Sequence, residues 1–154
     1  MSPDDLPDDD VLTVRPASPA DTEFLMDLAR SAYVDVVTRQ FGGWQEEVHG
    51  KRYREKIDEG RFQIILRRGA RVGTVQDVEE AGRFVLAELV VHPDFQGLGI
   101  GTWALTQVLR KAQAAGKPVW LHTMRENHAA LAFYRRHGFV EVGSSDAYVE
   151  MEAR

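Results

Sequence analysis

The stretch Val91-His92-Pro93-Asp94-Phe95-Gln96-Gly97-Leu98-Gly99-Ile100-Gly101-Thr102 decides how the rest of the chain is read. It follows a run rich in β-branched residues and precedes apolar positions at helical spacing, Ala104, Leu105, Val108, Leu109 and Ala112. A strand-to-helix junction presents unpartnered backbone N–H groups and the positive end of a helix, an arrangement that binds phosphate oxygens. Glycines at 97, 99 and 101 let the backbone approach a diphosphate with no Cβ in the way, and Thr102 adds a hydroxyl. A merely flexible loop would also carry glycines. Their spacing by two at the junction of two elements favours the cradle.

Two other glycine-based phosphate binders are poorly matched. Counting from Gly97, the last position of G-x-G-x-x-G falls on Thr102, and Lys117 to Thr123 supplies no acid for a ribose. No Gly-Lys-Ser or Gly-Lys-Thr occurs, so a P-loop is ruled out. The five histidines form no metal-binding helical pair and no H-E-x-x-H motif, and no serine sits in G-x-S-x-G. The absence of cysteine removes disulfides, thiolate metal sites and cysteine nucleophiles together.

Working outward, Val11 to Arg15 reads as a short first strand ending at Pro16. Ser18-Pro19-Ala20-Asp21 supplies a helix start, and Phe24, Leu25, Leu28, Ala32 and Val36 extend that helix to about Arg39. Gly42-Gly43 breaks it, and Trp44 to Glu59 reads as a second, largely exposed helix closed by Gly60. Phe62 to Leu66, Arg71 to Val78 and Arg83 to Val91 read as an antiparallel meander. A third helix after the glycine loop stops at Gly116 and Pro118. Val119 to Thr123 is then a strand, Asn127 to His137 a fourth helix, and Phe139 to Val142 and Ala147 to Glu152 the last strands. The fold class expected is α/β, a mixed, mostly antiparallel sheet flanked by helices, with one strand-helix-strand crossover at the glycine loop.

The 154 residues read as one domain, 11–154, behind an acidic, disordered tail over residues 1–10. That tail holds five aspartates and no base, against a formal net charge of −5, so the remainder is neutral. A neutral domain argues against nucleic acid as a partner. No apolar run approaches the ~20 residues of a membrane span, and nothing at the start resembles a signal peptide, so a cytoplasmic location is expected.

Residues 91–101 resemble the acetyl-CoA-binding segment of the GCN5-related N-acetyltransferases (GNAT), whose core is Q/R-x-x-G-x-G/A, present here from Gln96. Asn127-His128-Ala129-Ala130-Leu131-Ala132-Phe133-Tyr134-Arg135-Arg136-His137-Gly138-Phe139 is similar to the same family's second signature. The resemblance spans about residues 11 to 152 and implies a GNAT-like acyl-CoA N-acyltransferase fold, acetyl-CoA as cosubstrate and no metal. It implies that Leu89, Val90 and Val91 pair through their backbone with the pantetheine arm. Backbone N–H groups of Gln96, Gly97, Leu98, Gly99, Ile100, Gly101 and Thr102 would take the pyrophosphate. Asn127 would contact the cofactor arm, although its position equally suits a helix N-cap.

Tyr134 matches the family's general acid; on its helix it also fits a core aromatic. Glu88 is the only carboxylate in the strand leading to the loop and the candidate base, directly or through water, against the plainer reading of a solvated or paired strand acid. Alternation places it with Val90 and His92, opposite Ala87, Leu89 and Val91, and His92 is a second candidate. An oxyanion would meet the N–H of Val90 or Val91. The resemblance puts the acceptor, a small-molecule or peptide amine, near the first two helices. There Tyr33, Phe41, Trp44 and Tyr53 could wall a pocket, and Glu46, Glu47, Glu79 and Glu80 would suit a cation. A non-catalytic acyl-CoA-binding regulatory module would need the loop but not the phenol. Exposed late strands leave a homodimer open.

Overall fold

The structure is a computed structural model that describes residues 11–154; the segment read as a disordered tail lies outside them. The elements are β1 (Leu12–Pro16), α1 (Thr22–Phe41), α2 (Lys51–Asp58), β2 (Gln63–Arg67), β3 (Ala70–Glu79), β4 (Phe84–Val91), α3 (Ile100–Ala114), β5 (Val119–Met124), α4 (His128–Arg136), β6 (Val140–Ser144) and β7 (Tyr148–Ala153). The order agrees with the periodicity. Pro16 closes β1 without penalty because β1 is a sheet edge, where a missing N–H costs no ladder bond. Arg68 and Gly69, at φ 52° and 80°, supply the two left-handed residues of a tight hairpin between β2 and β3.

Seven strands form one sheet in the order β1-β2-β3-β4-β5-β7-β6. Every neighbouring pair is antiparallel except β4 and β5, which the α3 crossover joins in parallel. Apolar clusters cover both faces. One, including Leu105, Val108, Leu121 and Met151, packs under α3 and α4. The other, including Leu25, Leu28, Tyr53, Phe62 and Ile64, packs under α1 and α2. Among the described residues no helix is long and apolar enough to cross a membrane.

Two irregularities in the middle of the sheet create the site. First, β4 and β5 pair only at Phe84↔Val119 and Val85↔Trp120 and then diverge, while β5 stays paired with β7 from Val119 to Met124. The sheet is therefore open beside the C-terminal half of β4. Second, Gln76 pairs with Glu88 but Asp77 pairs with Leu86, leaving Ala87 as a bulge. Bulges re-aim the side chains that follow them. Phe84 and Leu86 enter the cluster under α3, whereas Val90 enters the cluster under α1 and α2, and Glu88 turns to that side with it.

One expected element is shorter than the pattern implies. Only Lys51–Asp58 of the stretch from Trp44 to Glu59 is α-helix, and Glu46–Gly50 forms a wider turn. Side chains hold it. Glu46 accepts from Trp44 Nε1 at 2.6 Å and from Arg30 at 2.6 Å, and its carboxylate lies where a Cβ on residue 50 would be, 2.5 Å from Oε1. Gly50 is the residue that leaves this room.

Candidate active site

A groove of about 440 Å³ runs from the open edge of β4 past the glycine loop to α4. Gly97 and Gly99 both adopt φ +81°, a left-handed conformation that L side chains rarely take, and a Cβ at 97 would point into open space. The first i→i−4 bond of α3 runs from Trp103 N–H to Gly99 O at 2.9 Å. The N–H groups of Ile100, Gly101 and Thr102 are thus left without a helical partner and lie at the positive end of a 15-residue helix. These residues, with Gly97 and Gly99, line the groove and fit a diphosphate. Arg136 lines the same groove, a cation beside the cradle.

The structure refines several of the expected contacts. The Thr102 hydroxyl is 3.0 Å from His137 Nε2, and His137 Nδ1 is 2.8 Å from the Phe133 carbonyl. Since Nδ1–H must donate to that carbonyl, a neutral ring accepts at Nε2 and Thr102 spends its hydroxyl proton there. Only the Thr102 N–H stays available. Leu98 is 39% exposed and does not line the groove. Asn127 caps α4, accepting from Ala130 N–H at 3.3 Å, and does not line the groove either.

The β4 backbone divides by register. His92 N–H donates to Val72 O at 2.8 Å, and antiparallel alternation then directs the peptide groups of Val90 toward β3 and those of Leu89 and Val91 toward the gap. Val90, buried under α1 and α2 with its backbone committed to β3, is thereby removed from the pantetheine and oxyanion positions. Leu89 and Val91 line the groove. The Val91 carbonyl accepts from Gln96 Nε2 at 3.1 Å, and the Val91 N–H lies on the same edge, where β4 has no pairing with β5.

On the opposite face a second pocket of about 560 Å³ opens over the same gap. Glu88 is at its floor, 5% exposed, with Tyr53 donating to Oε2 at 2.9 Å and Tyr33 donating to Oε1. Burial pushes the Glu88 carboxyl above the usual carboxylate range, opposed by the Tyr33 hydrogen bond and by the charge of Lys56. Burial and then the charge of Glu88 push both phenols upward, so at neutral pH both keep their protons and donate. Ala87 also lines this pocket. Strict alternation expected it on the other face; the bulge puts it beside Glu88. His92, at the other end of β4, accepts from Asp94 N–H and does not line the pocket.

Tyr134 stands between the two faces. It lines the cradle's groove, packs edge-on against Phe133 at 5.3 Å and Phe139 at 5.4 Å, and feels the charge of Glu88 through the gap. Burial, then that charge, hold its pKa above the ordinary phenol value. Among the described residues its hydroxyl has no protein hydrogen-bond partner.

Sequence reasoning missed His122, which lines the second pocket and stacks on Tyr148 at 4.5 Å; burial, then Lys56, lower its pKa. A position on β5 beside the gap was the available signal. The acidic wall suggested by Glu46, Glu47, Glu79 and Glu80 is not there. Glu46 is tied to Arg30, Glu79 to Lys117 and Glu80 to Arg83, and none of the four lines the pocket.

A sheet opened beside a diphosphate cradle, with a carboxylate-floored pocket on its other face, is the layout of a transferase that joins two substrates through the gap. The acetyltransferase (GNAT) family model matches residues 23–139, and the chain belongs to that family. It is similar to an uncharacterised N-acetyltransferase of Methanocaldococcus jannaschii, 30% identical over an alignment of 109 residues, with 64% of this chain and 47% of the relative covered. The chain spans about half the length of that relative. Among solved structures it resembles the coenzyme A complex of the PaiA N-acetyltransferase from Thermoplasma acidophilum, with TM-score 0.75 and 20% identity, covering 94% of this chain and 99% of that one. It also resembles the ribosomal-protein-S18-alanine N-acetyltransferase of Escherichia coli, with TM-score 0.66 and 17% identity, covering 93% of each chain. At these identities the likeness concerns the fold.

Proposed function

We propose that residues 11–154 form a single catalytic domain that transfers the acetyl group of acetyl-CoA to a primary amine by direct attack. The observation that carries this reading is the gap between β4 and β5, with the glycine cradle on one face, the Glu88 pocket on the other, and Tyr134 beside it. Backbone N–H groups of Gly97, Gly99, Ile100, Gly101 and Thr102 hold the pyrophosphate, and Leu89 and Val91 pair with the pantetheine arm along the open edge of β4. Bound acetyl-CoA supplies an activated thioester. Glu88, directly or through one water, takes the proton from the acceptor ammonium, a task suited to a carboxylate whose pKa burial has raised above the usual carboxylate range. The Val91 N–H faces the gap and stabilises the developing oxyanion. Tyr134, held protonated by burial, gives its proton to the departing thiolate.

The neighbour that acetylates an alanine of a ribosomal protein shows this fold serving a protein amine, in keeping with a peptide or small-molecule acceptor. The test is thiol release from acetyl-CoA across a panel of amines, alongside the melting temperature with and without coenzyme A. Release of thiol by an amine supports the transferase. A rise in melting temperature with no release by any amine would instead indicate a binding module.

A further inference from the structure

The charge lining the acceptor pocket deepens this reading, and the inference rests on it. Arg52 and Lys56 lie one turn apart on α2 and both line the pocket. Neither makes an ion pair among the described residues, whereas Arg54, between them in sequence, is tied to Glu23 at 3.2 Å. The Lys56 ammonium lies 5.8 Å from the Tyr53 ring centroid, and the hydroxyl of that ring bonds Glu88 at 2.9 Å. The cation and the carboxylate at the floor are therefore about one tyrosine side chain apart. Among the described residues Glu88 is the only carboxylate lining the pocket, and it is buried and engaged by two phenols. A polycationic amine entering here meets like charge at the mouth.

We propose that the acceptor is an amine that also carries an anionic group, a carboxylate or a phosphate, and that Arg52 and Lys56 bind this group while the amine reaches Glu88. A guanidinium can grip either anion in two-pronged fashion, and the lysine adds a point charge. The pair fixes which end of the acceptor enters first, because the amine is drawn to the one acid and the anion to the two bases.

The test uses the full chain, acetyl-CoA, and amines in matched sets over several spacer lengths from α-amino acids upward: the aminocarboxylate, the aminoalkyl phosphate and the uncharged amide. The expected result is a kcat/KM at least tenfold higher for an anionic member than for its amide, with the better of the two anions naming the group. Arg52→Gln and Lys56→Gln should each reduce that discrimination at least tenfold through the KM of the anionic member. Arg54→Gln, already paired elsewhere, keeps it. Both positions are exposed on α2, and melting curves of the variants verify folding. Turnover that favours amides or polyamines overturns the anion subsite and leaves the transferase standing. Coenzyme A binding without turnover of any amine overturns the transferase, and the subsite with it.

Discussion

Replacing Glu88 with Gln separates the proposed chemistry from the architecture, because the two side chains have the same shape. Glu88 is 5% exposed, and Gln fills the same volume beside Tyr33 and Tyr53; its amide oxygen still accepts from one phenol, while its NH2 donates to the other, whose hydroxyl must rotate to accept. General bases contribute about 10²–10⁴-fold, and one acting through water sits at the low end. Glu88→Gln should therefore lower kcat/KM about 100-fold, or about 2.7 kcal/mol of barrier at about 1.36 kcal/mol per decade. Stability should move the other way. Because folding raises the Glu88 pKa, its contribution is fully present below its unfolded value of 4.5 and is lost as pH rises through the folded value. The Gln variant lacks that loss, so its stability falls less with rising pH. The assays are thiol release against pH, where the acidic limb lies above the ordinary carboxylate range of about 4, and denaturant unfolding at mildly acidic and mildly alkaline pH. Full activity in Glu88→Gln with an unchanged acidic limb would refute the base assignment. A drop in activity matched by a collapse in stability would refute the claim that the residue acts chemically.

Three further outcomes are expected. Asp21 is 2% exposed and is paired with Arg15 at 2.7 Å and Arg71 at 3.2 Å, each arginine about 40% exposed. Asp21→Asn should cost about 2 kcal/mol by denaturant unfolding, below the range for fully buried pairs because water reaches both arginines. The pairing lowers the Asp21 pKa, so its contribution is present above the unfolded 3.8 and is lost as pH falls, a loss the Asn variant will not show. Gly99→Ala puts a side chain at φ +81° in the cradle. It should cost about 1–2 kcal/mol of stability and shrink the rise in melting temperature that coenzyme A produces. Raised by burial, Tyr134 should hold kcat steady past the ordinary phenol pKa of about 10, measured by rapid assays at alkaline pH.

The periodicity of the chain carries most of the fold, because the helices show apolar positions at helical spacing and each is closed by a left-handed glycine, Gly42, Gly60, Gly116 or Gly138. The cradle is legible for the same local reason: glycines 97 and 99 are needed where the backbone turns left-handed. Three features could not be read this way. The bulge at Ala87 depends on the pairing of β3 with β4, and no residue between Phe84 and Glu88 announces it. The phenols holding Glu88 lie 55 and 35 residues away in sequence and meet it only after α1 and α2 pack on the sheet. The pocket's charge was misjudged because glutamates near the helices were counted without their partners; Arg30, Lys117 and Arg83 take three of them away from the site.

The central claim, acetyl transfer across the gap with Tyr134 as acid, is tested most directly by comparing wild type with Tyr134→Phe for coenzyme A binding and for single-turnover thiol release. The Phe ring keeps the contacts to Phe133 and Phe139, and the lost hydroxyl has no protein partner, so folding and coenzyme A affinity should match wild type. Thiol release should fall about 100-fold, the lower range for a general acid. Equal release rates from the two proteins, or no binding of coenzyme A by wild type, would contradict the account.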